Sequence, residues 1–355
     1  MNKNKSFLSR NKGILIFLAV MLVLPFIIGL FEGSNPVAVW NNQGTFSKHL
    51  EGIGIEIFIL AIFALSYDLL FGVTGMMSFG HTMFFAVAAY TTGIALKSFG
   101  LPLWQVLLII VGTSIVQAFL FSIVLPRVKG VTFTMVTLGM ASMFHIIVMS
   151  SDMIKWTGAD VGLQGVPKPA FIDPTIERLR FYVVALLILV LVYIFYKRFI
   201  DSPTGRVCVS IRENESRAKM LGYNTTIFKV VVMLIASFTA SIAGVLHTLY
   251  QPIVSPTIAD LGYTVTGLLI VLIGGIATQS GAIVGAFVIK LLDLALRGIM
   301  KDSAPLVTGV VYVIFVLFVP YGIVGSLKLG GFKIKQGWQM LLERFGLKKA
   351  MPKEE

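Results

Sequence analysis

The sequence predicts an all-α polytopic membrane protein of about ten transmembrane helices, with both termini on the inner side. Three observations carry this. Of 355 residues, 56% are hydrophobic and only 13% charged, against about 25% charged in an ordinary soluble domain. The mean hydropathy is +0.88, and apolar stretches of roughly 20 residues, long enough to cross a bilayer as helices, recur along the chain. The cations gather on alternate connections between those stretches.

The spans are drawn in order at 14–31, 53–71, 82–96, 103–125, 131–150, 180–199, 228–250, 262–275, 282–299 and 305–325. The first follows Lys3, Lys5, Arg10 and Lys12 and so imitates a signal peptide. Its apolar run is long for one and no small-residue cleavage site follows, so it reads as a retained helix. With the N-terminus inside, the inner connections hold 20 of the 29 Lys and Arg residues, the outer ones hold 7, and Lys290 and Arg297 lie within a span. That bias places both termini in the cytoplasm. The net charge of +12 would suggest nucleic acid in a soluble protein, but its placement makes it a topological signal, so no nucleic-acid partner is expected. The single cysteine, Cys208, cannot form an internal disulfide, and no metal-ligand spacing is present.

Residues 1–325 therefore read as the membrane domain and 326–355 as a basic cytoplasmic tail, with a surface amphipathic helix around "WQMLLERF". The long outer loop 151–179 carries Pro167, Pro169 and Pro174. Two inner turns hold no charge, "GVTGMMSFG" (72–80) and "GIATQSG" (275–281). They read either as re-entrant segments, since non-helical backbone at membrane depth must be buried in protein or line a wet cavity, or as tight helix–helix turns.

One connection differs from the rest: the charged insert "SPTGRVCVSIRENESRAKMLGYN" at 202–224. "SPTG" reads as a turn, "RVCVSI" alternates, and "RENESRAKMLG" forms about two helical turns closed by Gly222. On that helix Ala218 and Gly222 share one smooth face, flanked by Arg212, Glu213, Glu215, Arg217 and Lys219. A short small-residue helix ringed by charge suits docking into a groove on another protein.

The same run, "GRVCVSIRENESRAKMLGYN", resembles the cytoplasmic coupling loop of ABC importer permeases, specifically the branched-chain amino acid permease family. Four further stretches resemble that family in the same order: "LFGVTGMMSFGHTMFFAVAAYTTG" (70–93), "TGADVGLQGVP" (157–167), "SFTASIAGVLHTLYQPIVSP" (237–256) and "LIGGIATQSGAIVGA" (272–286). The chain departs from the family at Ile276-Ala277, where a Gly-containing step is usual, and at Ala282, where Pro is common.

The resemblance implies the ABC importer permease fold and the role of a transmembrane subunit in an ATP-driven importer of branched-chain or similar hydrophobic amino acids. It implies a bacterial plasma-membrane location among lipid, a second homologous permease, two cytoplasmic ATPase subunits and an extracytoplasmic solute-binding protein. Coupling to the ATPases would fall on Arg212, Glu213, Asn214, Glu215, Ala218 and Gly222. ATP and Mg²⁺ would sit on those partners, because this chain has no G-x-x-x-x-G-K-[ST] run.

For the translocation path, broken helices supply the N–H and C=O groups that a zwitterion needs. The best cluster is Thr74, Gly75, Ser78, Gly80 and His81, with His81 read in preference as a satisfied interfacial histidine. His145 and His247 read as packing. Lys290, Asp293 and Arg297 share one helical face, so Asp293 can pair with either neighbour. Glu56 and Asp68 stand near span ends, where each can simply sit at an interface. The alternatives are a urea or short-amide permease of the same family, or an ion-coupled secondary transporter using Glu56, Asp68 or Asp293. No H-E-x-x-H, nucleophile elbow or paired carboxylates suggest an enzyme.

Overall fold

The computed structural model describes residues 12–31, 46–300, 304–319 and 321–328. The tail beyond Lys328, with "WQMLLERF", lies outside the described residues, as do Lys3, Lys5 and Arg10. The architecture is helical throughout, with one two-residue antiparallel ladder. The main helices are α1 (Lys12–Phe31), α2 (Phe46–Asp68, continued as a π-helix over Leu69–Val73), α3 (Thr82–Lys97), α4 (Leu103–Val124) and α5 (Val131–Met149). After the four-residue α6 (Ile154–Thr157) come α7 (Arg178–Asp201), α8 (Pro203–Met220), α9 (Thr225–Tyr250), α10 (Leu261–Gly274), α11 (Ser280–Met300), α12 (Ala304–Phe318) and α13 (Gly322–Lys328).

Each expected span falls largely on helix among the described residues, the last one as two pieces, Ala304–Phe318 and Gly322–Lys328, and six segments are long and apolar enough to cross a membrane: 47–73, 103–124, 131–149, 178–201, 225–250 and 306–327. The chain is a multi-pass, all-helical membrane protein. Three apolar helices are shorter, Ile16–Phe31, Thr82–Lys97 and Leu261–Gly274, and two of them reveal the plan of the fold.

The core is a bundle of α2, α3 and α9, with α7, α10 and α11 around it. Along α2 the side chains of Phe58, Ile62, Phe63 and Tyr67 are fully enclosed. The outer faces of α4, α5 and α12 stay apolar and uncovered, as at Leu108, Val116, Met143, Ile146 and Val313. Lipid is as apolar as these side chains, so helix association rests on close packing and small residues. The α3–α9 contact shows this: the Ser241 hydroxyl donates to the Phe84 carbonyl (3.3 Å) and Thr248 to Ala89 (2.9 Å). Between them a Cβ on Gly244 would collide with the Phe85 carbonyl oxygen.

These pairings make α3 and α9 parallel. α2 runs antiparallel to α9, since Gly52 faces the Tyr250 hydroxyl and Glu56 accepts from Gln251 (3.2 Å). α10 runs along α2 in its own direction, with Tyr263 on Phe63 and Ala277 against Asp68. Thus α2–break–α3 and α9–break–α10 are one long–broken–short unit used twice, in opposite directions. That inverted repeat does not show in the residue pattern.

Both breaks turn back into the bundle. After Val73 the chain returns far enough for His81 Nε2 to meet the Ser66 hydroxyl at 2.7 Å, seven residues or about 10 Å up α2 at 1.5 Å per residue. Gly80 packs on the Thr137 backbone, six residues into α5. The segment 75–81 is therefore re-entrant. From the opposite end, residues 251–260 descend until the Ile258 carbonyl accepts from the Thr82 hydroxyl (2.5 Å) and the Thr264 hydroxyl accepts from the Thr82 N–H (3.3 Å). The short helices α3 and α10 start side by side near Phe63 and leave in opposite directions. By contrast, 275–281 is a tight turn: Cβ atoms on Gly274 and Gly281 would each strike the other's backbone.

The loop 151–177 closes the end of the bundle away from the insert. Its strand β1 (Leu163–Gln164) pairs with β2 (Ile253–Val254), which anchors it to the second break. Lys97 Nζ holds the Gln164 carbonyl at 2.7 Å and Lys168 Nζ the Tyr250 carbonyl at 3.1 Å.

Candidate functional site

The insert folds as helix from Pro203, which corrects the expected turn at "SPTG" and draws the alternating "RVCVSI" run into the helix. Ser202 caps it, accepting from the Gly205 N–H (3.2 Å), and Pro203 fits the first turn, where its missing N–H costs nothing. Cys208 and Ile211 then face inward, a helical spacing. Asn214 breaks the helix with φ −158 and ψ 97. Its Oδ1 accepts from the Arg217 N–H (2.9 Å), so it caps a second, shorter helix. That helix ends as expected: Gly222 takes φ +86 and Tyr223 N–H reaches back to the Ala218 carbonyl (3.2 Å), the left-handed closure that glycine favours.

Glu215 ties the short helix to α9. Its carboxylate meets Lys229 (2.9 Å), Lys219 (3.2 Å) and the Thr225 hydroxyl (3.0 Å). Burial pushes its pKa up, but these partners outweigh burial and hold it down at about 2. A depressed carboxylate pKa stabilises the fold above its ordinary value of 4.5, and this contribution is lost as pH falls from there toward 2. Replacing Glu215 by Gln removes both ion pairs. Trypsin is then expected to cleave after Arg217 and Lys219 several-fold faster at neutral pH, and unchanged digestion would show that the staple holds nothing.

The expected docking face needs correction. Ala218 is 2% exposed and packs inward, because the kink at Asn214 turns it toward the bundle. The uncovered apolar surface is instead Met220, Leu221, Tyr223 and Ile227, with Met220 and Leu221 at 82% and 72% exposure. Glu213, Asn214, Arg217 and Gly222 lie exposed around it. Spacing suggested small residues as the contact face; the kink, which no periodicity announces, decided otherwise.

Arg212, itself exposed, reaches across the end of α2, where its Nη1 donates to the Gly72 carbonyl near the end of the π-helix. A Cβ on Gly75 (φ +73) would lie 3.2 Å from the Arg212 side chain. On the other side of Gly72, Asp68 Oδ1 accepts from the Ala277 N–H (2.8 Å). A Cβ on Gly72 would collide with that carboxylate. Asp68 thus lies inside the fold, not at an interface as one reading had it. Gly275 and Ala277 both have positive φ, and Gly322 of α13 abuts Gly275. A cavity of about 340 Å³ opens beside this junction, lined by Thr74, Met77, Lys129, Thr134, Arg212 and Lys229.

Of the proposed path residues, Thr74, Ser78, Gly80 and His81 are buried and Gly75 is exposed. Thr74 spends its hydroxyl on the Leu70 carbonyl (2.6 Å). His81 bonds Ser66 and is walled by Phe63, Tyr67 and Phe84, deep in the bundle and away from any interface. Its Nδ1, the Ser78 hydroxyl and the Tyr67 hydroxyl are buried without a hydrogen-bond partner among the described residues. His247 packs on Phe85, and His145 Nδ1 lies 3.2 Å from the Pro256 carbonyl. Lys290 pairs with Glu56 on α2, leaving Asp293 to Arg297 at 2.8 Å.

A family model described as the permease component of the branched-chain amino acid transport system matches residues 50–319. Among curated proteins, the chain is 28% identical over 222 residues to the high-affinity branched-chain amino acid transport system permease protein LivM of Salmonella typhimurium. The match covers 56% of this chain and 52% of that one. The Escherichia coli protein of the same name is 27% identical over the same shares. A probable branched-chain amino acid transport permease protein LivM of Methanocaldococcus jannaschii is 36% identical over 92 residues, 25% of this chain and 27% of that one. The chain spans about half the length of the first two relatives. No solved structure matches. With the match running from α2 through α12 and covering both broken units and the insert, the chain belongs to the family of branched-chain amino acid transport permease components.

Proposed function

We propose that this chain is the transmembrane permease subunit of an ATP-driven ABC importer for branched-chain or similar hydrophobic amino acids. It crosses a bacterial plasma membrane ten times, with both termini in the cytoplasm. It pairs with a second homologous permease, receives solute from an extracytoplasmic binding protein, and is driven by two cytoplasmic ATPases that carry the ATP and Mg²⁺. The observation that carries the reading is the insert, a capped helix pair that presents Met220, Leu221 and Tyr223 uncovered at its tip. Exposed apolar groups on a charged, water-facing segment signal a partner. The insert also lies on the side where most cations gather, which is the cytoplasmic side by the charge rule.

The test replaces Leu221 by Glu in the assembled transporter. Both the ATPase stoichiometry and the solute taken up per ATP are expected to fall several-fold, with the chain still in the membrane, because a truncated hot-spot residue costs about 2 kcal/mol or more of binding. Full association and uptake would remove the docking role of the tip. The ligand bound by the partner binding protein separates hydrophobic amino acids from urea or short amides.

A further inference from the structure

Gly72 stands where three segments meet. Its carbonyl holds Arg212 of the insert. Its bare Cα leaves room for the Asp68 carboxylate to cross to the Ala277 N–H. It also lies in the π-helix just before the re-entrant segment 75–81. The insert thus holds the π-helical end of α2 at the Gly72 carbonyl. A π-helix is a strained local form that often marks a functional site, and Thr74, with its hydroxyl on Leu70, keeps this one closed.

We propose that Arg212, Gly72, Asp68 and Ala277 form a mechanical node that carries movement of the insert to both inner breaks at once. The inference rests on the importer reading and names positioning residues within it. Arg212 is the only part of the insert for which a side-chain hydrogen bond to α2 or its π-helical end is found among the described residues. Pulling the insert away drags the Gly72 carbonyl. Because Asp68 lies one turn earlier on the same helix, the Ala277 turn follows. α10 and α11 flank that turn, so the second half of the inverted repeat moves with the first. The tight surroundings of Gly72, Gly274 and Gly281 leave no slack to absorb the motion.

The test uses the complete transporter in proteoliposomes. Arg212→Met keeps the length of the side chain and loses its donors. Asp68→Ala removes the acceptor, whereas Asp68→Asn keeps a carbonyl oxygen toward Ala277. Solute moved per ATP is expected to fall at least about fivefold in R212M and D68A, the lower end of ordinary coupling between sites. The double variant should be no worse than the poorer single one, because both act on one node, and D68N should stay near wild type. A second readout reports on the turn itself. Ala277→Cys keeps the backbone N–H at an exposed position, and the native Cys208 is buried. Maleimide labelling of A277C is expected to become several-fold faster when R212M is added, and this arm stands even where D68A does not accumulate. If R212M uncouples transport while A277C labelling stays unchanged or the two losses multiply, the node is overturned and the importer reading survives. If R212M and L221E both leave ATP-driven uptake intact, the insert is not the coupling element and the node falls with it, whereas absence of ATP-dependent uptake by the unmodified complex overturns the importer reading itself.

Discussion

Replacing Gly244 by Val is expected to abolish accumulation of folded protein. Gly244 lies where α3 and α9 make the most extensive helix contact among the described residues. A Cβ there would drive into the Phe85 carbonyl oxygen and meet Ala88 at 3.2 Å. The obstacle is backbone, so no rotamer change relieves it, and α9 must move off α3. That movement breaks the Ser241–Phe84 and Thr248–Ala89 hydrogen bonds together. Overpacking alone costs about 1–3 kcal/mol. The two lost buried hydrogen bonds bring the total to roughly 2–6 kcal/mol, comparable at its upper end with the whole stability of many domains. Gly112→Val in α4 is the control, because nothing lies within 4 Å of its Cβ position. The two variants are compared by the monodisperse fraction in mild detergent and by thermal midpoint. Equal behaviour would mean that α3 and α9 do not approach each other as described.

The helices were legible because long apolar runs and their charged borders are local facts. What escaped was set by contacts far apart in the chain. α3 and α10 are apolar enough to resemble ordinary spans, and only the meeting of Thr82 with Ile258 and Thr264 shows that they start together inside the bundle. Asp68 near a span end looked like an interfacial residue, since its partner is a backbone N–H 209 residues away. Ala218 and Gly222 do stand one turn apart, yet the Asn214 kink buries the first and exposes the second. A helical-face argument presumes an unbroken helix. The Gly222 closure was readable, because a glycine after a polar helical run needs no distant partner to act as a cap. The "SFGH" break was readable as a break, but its direction of return became clear only from Ser66 and Thr137.

Replacing Lys290 by Met is expected to destabilise the protein by about 1–3 kcal/mol, between the value of an exposed ion pair and that of a fully buried one. Lys290 of α11 meets Glu56 of α2, with side-chain exposures of 19% and 29%. Both are half-buried between α2 and α11, so the lost partner would be replaced only in part by solvent. Gln251 would remain on Glu56 at 3.2 Å, one neutral donor facing a full charge. Adding Glu56→Gln removes that charge, and the double variant should recover most of the loss. The midpoint of thermal unfolding in detergent measures each step, and additive losses would show that the two residues are not partners. The same pair decides between two modes of energisation. An ion-coupled carrier needs a carboxylate free to bind and release its ion in each cycle. Glu56 is committed to Lys290, Asp68 to the Ala277 N–H, and Asp293 to Arg297. Uptake by the E56Q/K290M variant is therefore expected to remain ATP-dependent and insensitive to a protonophore. Loss of uptake at full stability would instead give Glu56 a place in the transport cycle.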